Sequence, residues 1–299
     1  MSSIQFNKEF SCIYGSVEQV SPMIRRIVAR NPSPFTFHGT GTYIVGRGNV
    51  AVIDPGPDDL RHIDAIVTAL AGERVTHILA THTHRDHSPG CAPLQRIVAA
   101  PTYGYGPHAR GHVLHSEMVE EGADMAFIPD VRVQHGDIIR GDGWSLDCVH
   151  TPGHTSNHLC YQLREEMALI CGDHVMAWST SIISPPDGNL SHYLDSLELL
   201  LKRDDRVYWP CHGPAILDPK PFVNSYIAHR QDRINQVRAC LDAGIHYISD
   251  MVPSMYVGLP ESMYAAAARS VLSTLIYLID RAIVSAERIG LDSAYELSG

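Results

Sequence analysis

Thr81-His82-Thr83-His84-Arg85-Asp86-His87 is the stretch on which the reading of this chain turns. It packs three imidazoles and a carboxylate together, directly after residues 75–80, a short apolar run that reads as a buried strand. Neutral imidazole and ionised carboxylate are good ligands for zinc and similar first-row cations. On extended backbone side chains alternate with period two, so His82 and His84 point the same way and can reach one metal. Asp86 and His87 lie past the turn, placed for a second metal.

Outward from this stretch, three further pieces each close a strand-like run. They are Thr151-Pro152-Gly153-His154-Thr155-Ser156-Asn157-His158, Ile170-Cys171-Gly172-Asp173-His174 and Pro210-Cys211-His212-Gly213-Pro214. Each sets a ligand-type residue beside Gly or Pro, where a sharp turn can aim it inward.

The elements around these pieces alternate in type. Residues 41–54 read as a hairpin about Gly46-Arg47-Gly48-Asn49, stopped by Asp54-Pro55-Gly56-Pro57. Residues 60–71 carry apolar side chains at helical spacing. A second helix is expected over 88–99, with Ser88 as N-cap and Pro89 at its first position. Residues 103–121 are weakly patterned and read as a loop and a short helix near the site. Short strands are expected within 127–149, a strand pair at 159–163 and 167–171, an amphipathic helix at 193–201 and a last strand at 207–210. After Asp218-Pro219 helices take over, at 220–243 and 260–280, with short strands at 282–287 and 294–297. This pattern predicts an α/β fold, two packed β-sheets with helices outside, and a division into residues 1–218 and a helical part at 219–299.

Composition narrows the function classes. The chain has 299 residues and a formal charge of −10 with histidine neutral, so it is a poor passive binder of nucleic acid, whose phosphates are held by Lys and Arg. The seven cysteines are scattered and never spaced C-x-x-C, which reads as free thiols in a reducing cytosol. No basic stretch leads into an apolar core at the start, and no run approaches the ~18 apolar residues of a membrane span. A cytoplasmic protein with no membrane partner is the expectation.

The spacing His82-x-His84-x-Asp86-His87, followed by His154, Asp173 and His212, resembles the signature of the metallo-β-lactamase superfamily over residues 35–218. The resemblance implies an αβ/βα sandwich with two metals at one edge. It implies that His82, His84 and His154 hold the first metal, that Asp86, His87 and His212 hold the second, and that Asp173 bridges both. Zinc is the expected metal, with iron or manganese accepted by the same donors. The tail is similar to that of the β-lactamase-like protein 2 group, whose last histidine motif runs into helices and a small winged-helix-like domain and some of whose members are endoribonucleases. Tyr226-Ile227-Ala228-His229-Arg230 fits the helix that follows. The segment from Thr151 to Tyr161 also resembles glyoxalase II, a thioester hydrolase.

The expected activity is that of a binuclear metal-dependent hydrolase acting on a small ester, thioester or lactone through a metal-bound hydroxide, with Asp86 ligating and orienting the nucleophile. The alternatives are an endoribonuclease, favoured by the tail and opposed by the acidic charge, a β-lactamase, and a non-catalytic metal-bound binding protein. His158 and His174 are candidates for supporting the ligands, and Trp178, Ser179 and Thr180 for lining a substrate pocket. His108, His112 and His115 are weaker candidates for a substrate contact. Arg85 reads as a solvated charge and Cys211 as a neighbour of a ligand. The tail shows no basic stripe. Its apolar run at 271–279 suits packing, a homo-oligomer contact or a wall of the active-site cleft.

Overall fold

The computed structural model describes residues 4–108 and 122–299. The first sheet takes β1 (Val17–Gln19), β2 (Ile24–Val28), β3 (Gly41–Val45), β4 (Asn49–Ile53), β5 (Arg74–Leu79), β6 (Thr102–Gly104) and β7 (Val131–Arg132) in chain order. β2 to β4 are antiparallel, the β3–β4 pair being the expected hairpin. α1 (Leu60–Ala69) and α2 (Cys91–Val98) then cross over to make β4, β5 and β6 parallel. The second sheet has the order β12-β11-β10-β9-β8, from β8 (Ile138–Arg140), β9 (Ser145–His150), β10 (Leu159–Leu163), β11 (Ala168–Gly172) and β12 (Val207–Pro210). Its one parallel pair, β11–β12, is joined through α3 (Leu190–Leu201).

Side-chain alternation along these strands builds three layers of core. Tyr43, Val45, Ala51 and Ile53 face Leu146, Cys148, Tyr161 and Ile170 between the sheets. Their chain neighbours Ile44, Val50 and Val52 pack outward onto Ile63 and Ile66 of α1 and Leu94 of α2. On the other side Val149, Cys160, Leu169 and Cys171 turn outward onto α3 and the C-terminal helices. The result is the expected sandwich, with the central strands of both sheets buried on both faces.

The C-terminal region comprises α4 (Pro219–Asp242), α5 (Ile248–Met255), a 3-10 turn (Glu261–Met263), α6 (Tyr264–Ile279) and the hairpin of β13 (Val284–Ser285) and β14 (Glu296–Leu297). Val223, Tyr226, Ile234, Leu272, Leu275 and Leu278 share one continuous core with the outer face of the second sheet. By length and composition the stretch Glu261–Ile279 is apolar enough to cross a membrane. In the fold Val271, Leu272, Leu275 and Leu278 are buried core residues, so packing accounts for much of that apolar run.

Two expectations need correction. α2 begins at Cys91 and not at Ser88, because the Ser88 hydroxyl donates to Asp124 Oδ2 at 2.6 Å and does not cap the helix. α3 begins three residues before the expected start, where the Asn189 side chain accepts from His192 N–H at 2.9 Å.

α4 also reaches into the segment that follows Asp173. The buried Tyr226 hydroxyl accepts from Met176 N–H at 3.0 Å and lies 2.6 Å from the carbonyls of both Met176 and Ser179, which share its single proton. Arg230, over the Tyr193 ring, donates to Ser181 O. Tyr226→Phe leaves the Met176 amide without its acceptor, and a stability loss of about 1–3 kcal/mol is expected from urea unfolding. A loss within error of zero would show that these bonds do not hold the segment.

Candidate metal centre

The candidate residues sit in loops that follow the carboxyl ends of five strands. Asp54 follows β4, the His82–His87 stretch follows β5, His154 follows β9, Asp173 follows β11 and His212 follows β12. Such strand ends are where open α/β sheets leave a crevice for ligands. The local backbone is shaped for it. Gly172 has φ +52°, and a Cβ there would lie 2.6 Å from His158 Nε2 and 2.9 Å from Thr81 Oγ1. Only glycine lets β11 end so close beneath the cluster.

All seven expected ligands come together. His84 Nδ1 lies 3.0 Å from His82 Nε2 and 3.0 Å from His154 Nε2. Tetrahedral zinc with Zn–N bonds of about 2.0–2.1 Å sets its nitrogens roughly 3.3 Å apart, so this trio fits one ion. Asp86 Oδ2 lies 3.2 Å from both His87 Nε2 and His212 Nε2. Asp173 stands between the two groups: Oδ2 is 3.5 Å from His87 Nε2 and 3.7 Å from His154 Nε2, and Oδ1 is 3.2 Å from His212 Nε2. His87 Nε2 and Asp173 Oδ1 are buried and make no well-aligned hydrogen bond. Groups of this kind are costly to bury unless something else satisfies them, and a cation does.

The outward ring nitrogens are engaged, which fixes the tautomers. His87 Nδ1 donates to Asp54 Oδ2 at 2.9 Å, and His154 Nδ1 to Ile182 O at 2.6 Å. His212 Nδ1 donates to Gly39 O at 3.2 Å. Thr81 Oγ1 donates to Asp54 Oδ2 at 2.6 Å, so at 3.0 Å it accepts from His82 Nδ1. In each case the Nε2 lone pair is left facing inward. Thr40 Oγ1 donates to Asp86 Oδ2 at 2.9 Å.

Charge follows the same division. Burial, with His87, His84 and His154 adding to it, pushes His82 well below the usual histidine range and keeps it neutral. Burial also opposes charge at His212, but Asp173 and Asp86 outweigh it and raise His212 to about 10. His87 is likewise pushed well up, burial being overcome by Asp86 and Asp173. Burial alone would raise the two carboxylates; facing His87 and His212, both are instead held well below the usual carboxylate range. A proton and a cation therefore compete for the Asp86–His87–His212 group.

The other candidates are placed differently. His158 supports Asp173: its Nε2 accepts from the Asp173 N–H at 3.3 Å and its Nδ1 donates to Thr151 Oγ1 at 2.9 Å. His174 turns away into the core against Tyr193, where burial lowers it to about 3. Trp178 stacks on Phe37 with centroids 4.7 Å apart. Ser179 and Thr180 lie with Trp178 on a cleft bordered by the C-terminal helices. His108 lies beside Thr83, Nδ1 to Oγ1 2.9 Å, with its ring 6.4 Å from that of His84. His112 and His115 lie outside the described residues. Arg85 is exposed, and its Nε donates to Ala123 O. Cys211 donates its thiol to Asp54 Oδ2 at 3.1 Å.

Asp54 is the residue that sequence reasoning passed over. Fully buried, it accepts on Oδ2 from His87, Thr81 and Cys211, and on Oδ1 from Thr81 N–H at 2.7 Å. Its only signal was an aspartate at the end of an apolar strand, read there as a stop.

A profile described as the metallo-beta-lactamase superfamily matches residues 36–212. The chain belongs to that superfamily, as the sandwich and its edge-bound histidines indicate. Among its relatives, the lactamase-like protein adaB of Aspergillus niger is 30% identical over 267 residues, covering 84% of this chain and 78% of that protein. The atrochrysone carboxyl ACP thioesterase dmxR1 of a Cryptosporiopsis species is 31% identical over 229 residues, covering 76% of this chain and 65% of that one. A beta-lactamase domain protein from Burkholderia ambifaria has the same fold at a TM-score of 0.79 and 19% identity, over 97% of this chain and 96% of that chain. A metallo-beta-lactamase family protein from Thermus thermophilus aligns at 0.74 and 20% identity, over 93% of this chain and 99% of that chain.

Two outcomes are expected. Asp54→Asn, which replaces the carboxyl that accepts from His87 Nδ1, weakens metal binding about 10–100-fold in competition with a coloured chelator; unchanged affinity would remove Asp54 from the centre. In chelator-treated protein, His212 is raised from 6.5 to about 10, so its ion pairs stabilise the fold fully below about pH 6.5 and lose that contribution as pH rises through about 10. Adding metal at neutral pH then releases protons, which an indicator dye in weak buffer detects. No release would contradict the assigned charges.

Proposed function

We propose that the protein is a binuclear metal-dependent hydrolase that cleaves an acyl thioester or a related small ester or lactone. The observation that carries this is the convergence of His82, His84 and His154 on one side of Asp173, and of Asp86, His87 and His212 on the other. The donors are all nitrogen and oxygen, which suits zinc and accepts iron or manganese. The thioesterase named among the relatives points to an acyl substrate over a β-lactam or a nucleic acid.

His82, His84 and His154 would hold one cation and Asp86, His87 and His212 a second, with Asp173 between them, and such ions would supply Lewis acidity toward a carbonyl and toward water. The residues of the chain do the rest. His82, His87, His154 and His212 are buried, whereas Asp86 is 26% exposed and His84 is half-buried, so the cluster opens on the His84–Asp86 side. Substrate and water enter from that side. Asp86, with one oxygen facing His87 and His212 and accepting from Thr40, is placed to orient the attacking water and to pass a proton to the leaving group. Asp173, anchored by His158 and by Ser181 Oγ on its carbonyl at 2.6 Å, holds the two halves at a fixed separation. The Cys211 thiol, pushed well up by burial, stays protonated and serves as a donor to Asp54 and not as a nucleophile.

The test is hydrolysis of an acyl thioester by zinc-loaded protein beside its Asp86→Asn variant, with a labelled single-stranded RNA as competitor substrate. Wild-type thioester cleavage, lost by at least about 10²-fold in Asp86→Asn together with weaker retention of the second metal, is expected. An Asp86→Asn enzyme with full metal content and full rate would sink the mechanism. RNA cleavage with no thioester cleavage would replace the acyl substrate with RNA.

A further inference from the structure

A cleft runs between the segment that follows Asp173 and the edge of the C-terminal region. Met176, Trp178, Thr180 and Ile182 form its inner wall, and Tyr256, Leu259, Met263 and Ala266 the outer one. Pro34 and Phe35 cover one end, Phe35 remaining 49% exposed. None of the residues along the cleft is charged, and its polar groups are the hydroxyls of Ser179, Thr180, Ser270 and Tyr256 and the Trp178 indole N–H.

The inner wall is also part of the frame of the metal centre. The Ile182 carbonyl holds His154 Nδ1 at 2.6 Å. The Trp178 indole packs against Gly213, next to His212: a Cβ on Gly213 would fall 3.0 Å from it. The wall thus touches His154 directly and packs against the residue that follows His212. The outer wall explains a further feature of α6. Its core face is satisfied by Val271, Leu272, Leu275 and Leu278, yet Ala266 and, just ahead of it, Met263 carry apolar surface off that face and into the cleft. A largely apolar cleft with a few polar groups, one wall of which holds His154 in place, has the make-up of a substrate pocket.

We infer that this cleft binds the apolar acyl part of the substrate, with Trp178 and Tyr256 as its aromatic walls and the α5–α6 edge setting the acyl length accepted. The inference rests on the acyl-hydrolase reading for turnover but not for binding. Transfer of a methylene into an apolar site gains ~0.8 kcal/mol, nearly fourfold in affinity, so several methylenes produce a strong length preference. The carbonyl end then lies toward His154 and Asp86 and the chain toward Met263 and Ala266.

The test uses two thioesters of N-acetylcysteamine, acetyl and decanoyl, with zinc-loaded protein, and a non-hydrolysable ligand, N-decanoyl cysteamine, with chelator-treated protein. Wild type is expected to prefer decanoyl over acetyl in kcat/KM by at least about tenfold. Ala266→Phe, and Ser270→Leu as a second variant should the first fail to fold, lower that ratio at least tenfold by filling the cleft. Ile97→Phe, on the exposed face of α2, leaves it unchanged. In the binding arm, N-decanoyl cysteamine changes the Trp fluorescence of wild type, and Ala266→Phe weakens the binding at least tenfold. A preference that survives in both cleft variants, or ligand binding that Ala266→Phe does not weaken, overturns the inference. Binding that Ala266→Phe weakens, with neither thioester hydrolysed, leaves the cleft assignment standing and sinks the acyl-hydrolase reading instead.

Discussion

Everything in this molecule answers to one electrostatic constraint: three carboxyl groups, Asp54, Asp86 and Asp173, and five imidazoles, four of them buried, are gathered at the edge of a largely apolar sandwich. Burying one such group without a partner costs several kcal/mol, and burying a charge costs more. The fold meets the cost by arranging them in alternation. His87 lies between Asp54 and the Asp86–Asp173 pair, and His212 between Asp86, Asp173 and the Gly39 carbonyl. In the first trio His82, held well below the usual histidine range by burial and by His87, His84 and His154, is neutral. The two groups therefore differ: His82 is a neutral donor, whereas His87 and His212 are held charged against Asp86 and Asp173.

Around this cluster the C-terminal region acts as a brace. Tyr226 and Arg230 of α4 fasten residues 176–181, Ser181 fastens the Asp173 and His174 carbonyls, and Ile182 fastens His154. A helix far along the chain thus bears on the orientation of metal-facing side chains it never touches. The extensive alignment with the Burkholderia and Thermus proteins, which takes in this region, fits a fold in which sandwich and tail form one unit.

The seven clustered residues were legible because their message is local. Four sit within one turn-forming stretch, and the other three each stand beside a Gly or Pro that ends a strand. The sheet pattern was legible wherever strands were mainly apolar and free of charge, as at β3, β4, β10 and β11. Where charge interrupts the pattern, reading failed. β2 carries Arg25 and Arg26, both buried, and each is paired with a glutamate, Glu73 at 2.5 Å and Glu18 at 2.7 Å, from elsewhere in the chain. α5 holds Pro253, which masks a short helix. Asp54 was hidden for a deeper reason. Its role exists only because β4 and β5 run parallel with Ile53 opposite Leu79, which carries Asp54 to Thr81 and His87, and register is a tertiary fact.

The spread of the cluster along the chain bears on how the molecule comes to be built. Apart from the His82–His87 stretch, every ligand is brought in from a distant strand end, and the two sheets must dock before His154, Asp173 and His212 meet the rest. Contacts of such high contact order close late, after the entropy of long loops has been spent. A cation met early by the nascent chain finds only a short histidine stretch, a weak and unselective chelate. The full set of seven candidate donors is thus a property of the finished sandwich and not of the folding chain.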